Sequence, residues 1–232
     1  MAHHLNPGGQ QFRGDRGAAD PGVTAALAAY QAGQGSEQAA LTALAAARLL
    51  VPVVAVFADG VATQGDKDSE MVLPTLIGRD GRPAVLAFTS LDALARWRPV
   101  ARPVPAEAGR VWRGAVADGC AVVIDVAGPV PLAVEGARLA ALAAGQPVPP
   151  PHEDPDVCAE VQAATAAEPA IVGFSLAPGH ADGADLAVTL HLAGTGPAPA
   201  PEAGSAVNRA AVSLATRLGT RLRRGIEVIV AG

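Results

Sequence analysis

The chain has 232 residues, enough for one large or two small domains that each bury a core. Half of the residues are apolar but only 3% are aromatic, so the core must be built from Ala, Val and Leu with few large rings to lock it. A formal net charge of −5 argues against general affinity for nucleic-acid backbones or anionic membranes, and with Lys67 as the only lysine the arginine bias reads as a compositional trait, not a nucleic-acid signature.

The opening stretch, MAHHLNPGGQQFRGDRG, has no apolar core of signal-peptide length, and no later run reaches the roughly 18 apolar residues of a membrane helix. A soluble, cytoplasmic protein with a disordered N-terminal tail is expected, and His3 and His4 are too few for a metal tract. Cys120 and Cys158 lack CxxC spacing and read as buried thiols in a reducing compartment rather than as a disulfide.

Two helices are predicted first, over Val23–Ala32 and Glu37–Arg48, the second capped by Ser36. Leu49–Phe57 is wholly apolar and fits a buried strand, with Pro52 expected at its start or on an edge because proline cannot donate to a ladder. Asp59–Ser69 reads as a mobile polar loop. Pro74–Trp97 then predicts a strand, a two-residue Asp80-Gly81 turn, a strand ending in Phe88, and a helix entered through Thr89 and capped by Ser90. A Pro-rich connector (Pro99–Pro105), a helix (Glu107–Asp118), a central strand (Cys120–Val126), a turn (Ala127–Pro131) and a helix (Glu135–Ala144) stopped by Gly145 complete a first domain.

Gln146–Pro155 is the best linker candidate, and its last two residues, Asp154-Pro155, also form a helix start. Beyond it the pattern predicts a helix to Ala167, strands over Ala170–Leu176 and Asp185–Leu192, a flexible Gly194–Gly204 stretch, a helix over Ser205–Arg223 and a strand over Ile226–Val230. The expected architecture is α/β (α+β): a tail and first helix (1–35), a mixed sheet with flanking helices (36–145), a linker (146–155) and a smaller αββαβ unit (156–232).

With these motifs placed, the chain resembles the SseB family, named for enhanced serine sensitivity. The resemblance rests on Val51-Pro52, Leu73-Pro74, the hairpin leading into Phe88-Thr89-Ser90, Leu94 and Trp97, and Val122-Val123-Ile124-Asp125 followed by Gly128-Pro129. It covers about residues 36 to 145, and the C-terminal unit looks like the smaller domain that often follows. The chain departs from the family at Asp125-Val126, where a proline commonly follows the strand. The family has no agreed catalytic activity, so the resemblance implies a fold and an interaction role.

Each catalytic pattern has a plainer alternative. Gly173-Phe174-Ser175-Leu176-Ala177 approaches a nucleophile elbow, with Asp182 or Asp185 and then His191 downstream, but Pro178-Gly179 follows where the elbow requires a helix. Gly194-Thr195-Gly196 lacks the third glycine of a dinucleotide loop, and Lys67 lies in no phosphate loop. His152, Glu153, Asp154 and Asp156 could ligate a metal, yet they fall in a Pro-rich connector; Asp59, Asp66, Asp68 and Glu70 lack the order of a calcium loop. Arg209, Arg217, Arg221 and Arg224 form a basic face on the last helix, more often a solvated face than a docking stripe.

The reading is therefore a non-enzymatic cytoplasmic interaction module with no metal and no cofactor. Its binding residues are expected at Phe88, Thr89, Ser90, Trp97 and Asp125, because tryptophan beside arginine suits interfaces. Its partner is expected to be a protein or peptide, with a second copy of the chain as one candidate, and neither nucleic acid nor membrane. The alternatives are a small-molecule-binding or hydrolytic enzyme with an interdomain site, and a secretion-associated accessory factor.

Overall fold

The computed structural model describes residues 12, 14–57, 69–72, 74–78, 81–180, 183–193 and 201–231. The elements run α1 (Pro21–Gln31), α2 (Glu37–Ala45), β1 (Arg48–Phe57), β2 (Ser69–Val72), β3 (Thr75–Ile77), β4 (Pro83–Ala87), α3 (Leu91–Trp97), β5 (Arg102–Glu107), α4 (Ala108–Ala117), β6 (Ala121–Ile124), β7 (Leu132–Val134), α5 (Gly136–Ala144), α6 (Pro155–Thr165), β8 (Ile171–Ala177), β9 (Leu186–Leu192), α7 (Pro201–Leu218) and β10 (Ile226–Ala231). This is the expected mixed α/β fold. The chain divides into two compact units: Ala43–Gln146 with the residues before Ala26, and Ala26–Thr42 with Pro147–Gly232.

The first unit holds two sheets, of order β2-β1-β5 and β3-β4-β6-β7, with β4 and β6 parallel. Leu50 bridges Phe88 at the end of β4, exchanging backbone bonds of 2.7 and 2.8 Å. Prolines decide the register of the other sheet. The Leu50 N–H points to Phe88 and so away from β5, and Pro52, two residues on, directs its nitrogen the same way. Opposite them, Pro105 pairs Leu50 and Pro103 pairs Pro52, with both ring nitrogens on the open side of β5. Pro52 thus sits mid-strand, not at a start or an edge, and costs no bond to β5. Arg102–Glu107, expected as part of a connector and a helix start, is an edge strand because its prolines recur with period two.

Helices α4 and α5 pack on each other and on β6. They cover one sheet face with Trp112, Ala115, Leu139 and Leu142 against Val122, Ile124, Leu132 and Val134, all buried. Helix α3 covers part of the other face. Ser90 Oγ accepts the Ala93 N–H at 3.1 Å, the expected N-cap, and Gly145 ends α5 at φ 67°.

Other boundaries moved. Helix α2 stops at Ala45 because Arg48 is already paired with Glu107. The hairpin loop is longer than two residues: Gly78 N–H bonds Arg82 O at 2.8 Å and Gly81 N–H bonds Gly78 O at 3.0 Å, with Gly81 at φ 79°, a turn closed by a glycine bulge. Asp80 lies outside the described residues, as do His3, His4, Asp59, Asp66, Lys67, Asp68, Asp182 and Gly194–Gly196. Ser69, expected in the loop, begins β2, which pairs with β1, and β7 fills the three residues between the expected turn and the expected helix.

Asp15 and Gly17, expected within the tail, are held in place. Gly17 O accepts the Leu91 N–H at 2.8 Å, and Arg48 Nε meets Asp15 Oδ2 at 2.7 Å while its Nη1 donates to Thr89 O at 3.0 Å. Gly17 is at φ 72°, and a Cβ there would stand 2.2 Å from Leu91 Cγ, so the contact requires glycine.

The second unit is a three-stranded sheet of order β10-β9-β8, β10 parallel and β8 antiparallel to β9, with α6 and α7 on one face. Its core joins Val157 and Val161 of α6, Leu186, Val188 and Leu190 of β9, and Ala210, Leu214 and Leu218 of α7. Leu186, Val188 and Leu190 of β9 are buried, as the alternation predicted, but Leu192 is only partly covered and Ala187 is buried too. Helix α7 starts at Pro201 and ends at Leu218, earlier at both ends than expected. The N-terminal segment joins this unit through Tyr30, fully buried, whose hydroxyl donates to Thr220 O at 2.8 Å and whose ring lies 5.2 Å from the Arg223 guanidinium. Asp154 caps α6 by accepting the Asp156 N–H at 2.8 Å, with Pro155 in the first turn.

Both cysteines are free, but neither is buried as expected: Cys120 is partly covered and Cys158 faces solvent on α6. Burial, and secondarily Asp118, pushes the Cys120 thiol up. Among the described residues no helix is long and apolar enough to cross a membrane.

Candidate functional site

The residues singled out around the hairpin converge in the first unit at the carboxyl ends of the parallel pair β4 and β6. Asp125 follows β6 at φ 48°, a left-handed conformation uncommon outside glycine but tolerated best by Asp and Asn. Its Oδ1 accepts the Thr89 N–H at 2.8 Å and its Oδ2 the Thr89 hydroxyl at 2.6 Å, with both residues buried. Backbone bonds close the junction, Asp125 N–H to Ala87 O at 3.0 Å and Gly128 N–H to Asp125 O at 2.7 Å. Asp125 therefore acts on this chain's own Thr89: both its oxygens are engaged in holding the β4–α3 corner.

That corner aims α3. Phe88 is fully buried, and the Trp97 ring stacks on it with centroids 5.6 Å apart and planes tilted 33°. Trp97 itself is half-buried, and the Arg98 guanidinium lies 5.7 Å from its centroid. Around a buried cluster of Leu50, Leu86, Phe88, Ala93, Leu94 and Ala101, the side chains of Leu76, Trp97, Val123 and Val126 remain partly open. Sequence reasoning found Phe88 and Trp97 but missed Leu76, Val123 and Val126. The parallel pairing of Leu86 with Val123 puts these on one face, and that pairing leaves no mark in local composition.

The four arginines lie in the second unit, and each meets a carboxylate there. Arg209 grips Glu168 with two bonds of 2.8 and 2.6 Å, which hold the Glu168 carboxyl below its usual range. Arg217 meets Glu160 at 2.7 Å, and Arg224 Nε meets Asp185 Oδ1 at 2.8 Å. Arg221 bridges Glu37 at 3.1 Å and Asp154 at 2.7 Å, both nearly excluded from solvent. Arg221 and Arg224 also lie beyond the end of α7, so the four are not one helix face. A cleft of about 480 Å³ beside Arg209 and Glu202 presents the already paired guanidinium.

Two members of the hydrolase pattern are brought near each other, and Asp182 lies outside the described residues. Ser175 pairs Thr189 and His191 pairs Gly173, so Ser175 and His191 are diagonal neighbours at a backbone spacing of roughly 7–8 Å. A Cβ added to Gly173 would lie 3.8 Å from the His191 ring. Asp185, the described acid, has one oxygen on the Arg224 side chain and the other on its backbone N–H at 2.9 Å. Among the described residues no group of three or more His, Cys, Asp or Glu side chains is placed to hold a metal ion.

Burial raises the Asp125 carboxyl, opposed by the Thr89 bonds and by Arg96. A carboxyl raised in the folded state contributes stability that is complete below its unfolded pKa of about 3.9 and is lost as pH rises through the folded value. Urea unfolding followed upward from about pH 4 should therefore carry a component that falls with pH and that Asp125→Asn removes. Asp125→Ala should cost about 2–4 kcal/mol, from two bonds to a buried charged group and an alanine at positive φ. In the second unit, Arg221→Ala leaves two buried carboxylates without their cation and should cost about 3–5 kcal/mol by denaturant unfolding, with Arg221→Lys restoring only part because one ammonium spans both acids poorly.

The family model of the SseB protein N-terminal domain matches residues 23–141, starting earlier than the resemblance at residue 36. No curated protein and no solved structure matches the chain. The matched stretch is more than half of the 232 residues and contains the whole Phe88–Trp97 and Thr89–Asp125 arrangement; the chain belongs to the SseB family.

Proposed function

We propose that the chain is a non-enzymatic, cytoplasmic interaction module whose first unit holds a protein or peptide on the partly open surface around Trp97. The observation that carries this reading is Trp97 itself: half-exposed, backed by the fully buried Phe88 ring and flanked by the Arg98 guanidinium. A large ring on a rigid support loses little conformational freedom on binding, and Trp with Arg are the commonest hot-spot residues. Leu76, Val123 and Val126 supply an apolar surround, while Arg96, Arg98 and Arg102 are exposed nearby in the chain. The partner this suits presents an apolar side chain among acidic neighbours.

The test is affinity co-purification with cross-linking and mass spectrometry from native cytoplasm, comparing wild type with Trp97→Ala. A stoichiometric partner cross-linked to residues near Trp97 is expected, with at least about thirty-fold weaker binding in the variant. A partner retained equally by Trp97→Ala, or no partner at all, overturns the reading.

A further inference from the structure

The strand edges of the two units are treated differently. Strands β3 and β7 are only three residues long, β5 carries Pro103 and Pro105 with their nitrogens on its open side, and β8 has a bulge between Ile171 and Gly173. Each of these devices discourages a further strand. Strand β10 has none of them. Its six residues, IEVIVA, include no proline or glycine, and it pairs in unbroken register with β9 alone among the described residues. Ile229 and Val230 point to opposite sheet faces, yet they are 37% and 47% exposed. The one charge, Glu227, accepts the His180 N–H at 3.1 Å.

The flank of α7 continues this edge. At about 100° per residue, the buried Ala203, Ala206, Ala210, Leu214 and Leu218 define the side facing the sheet. Arg209 and Arg217 lie to one side of that stripe and reach Glu168 and Glu160, so this side faces α6. The other side carries Gly204, Val207, Ala211 and Ala215, without charge, and a Cβ built on Gly204 would meet nothing. Helix α6 packs on β8, whereas α7 crosses from β8 to β10, so the uncharged flank lies on the side of α7 away from α6 and its strand neighbours include β10.

We propose that two copies of the chain form a closed dimer, their β10 strands pairing antiparallel about a two-fold axis and their α7 flanks packing alongside. A foreign extended peptide would satisfy the strand and leave the flank uncovered, whereas a second copy brings a strand and a helix in the same arrangement. Antiparallel self-pairing is isologous and closes after two copies, and the bulged β8 edge does not continue the sheet. A β10 edge of about 20 Å and an α7 flank of about 17 Å bury more surface together than the strand alone. This surface lies in the second unit and is independent of the one around Trp97.

Sedimentation equilibrium of the full chain over about 1–100 μM tests it, with circular dichroism confirming that each variant is folded. Wild type should be dimeric. Val230→Lys on the edge and Ala215→Glu on the flank should each weaken the dimer at least ten-fold, and Val212→Lys, on the solvent side of α7, should leave it unchanged. A monomeric wild type overturns the proposal, as does a dimer that folded Val230→Lys and Ala215→Glu both leave intact. Trp97→Ala should dimerise normally, which separates this result from the partner experiment.

Discussion

The bidentate grip of Asp125 on Thr89 is the constraint on which the first unit turns. Strands β4 and β6 are parallel, so their carboxyl ends meet without a hairpin to join them, and each leads into a corner whose backbone groups need partners. One carboxylate satisfies the Thr89 amide and hydroxyl together, while its own amide returns to Ala87. The direction of α3 follows, and with it the stacking of Trp97 on Phe88. Burial disfavours the charge that makes the grip strong, so the corner is held by an interaction with an internal cost.

A second corner of the same unit is built from the opposite chemistry. Arg48, at the start of β1, takes the Thr89 carbonyl and Asp15, so Thr89 is held by a carboxylate on its donors and a guanidinium on its acceptor. The chain at Gly17 then lies against Leu91, close enough that only glycine fits. A stretch with the composition of a tail becomes part of the support for α3.

In the second unit charge is used inwardly. Glu168, Glu160, Asp185 and the Glu37–Asp154 pair each take an arginine from α7 or the turn after it. A basic stripe read along the helix becomes a set of ties to α6, to the start of β9 and to the N-terminal segment. The charges gather on the side where these carboxylates lie, which leaves the opposite flank of α7 small and neutral beside an unprotected strand.

The chain by itself determined the kinds of element and most of their order, because those depend on neighbours within a turn or two. Ser90 and Asp154 cap helices through bonds to residues two or three positions away; Gly145 ends one by its own backbone freedom; β9 alternates with the pleat. Phe88 and Trp97 were legible as an aromatic pair around a capped helix. Only the tertiary structure decided the rest, since it depends on residues far apart in sequence. Pro103 and Pro105 looked like a connector until β1 supplied the partner that made their period-two spacing an edge. Asp125 looked like a ligand-facing acid until Thr89, 36 residues earlier, occupied both its oxygens. Arg221 looked like surface charge until Glu37, 184 residues earlier, closed over it, because the pairing energy of a charge depends on which surfaces fold around it and not on its neighbours in the chain.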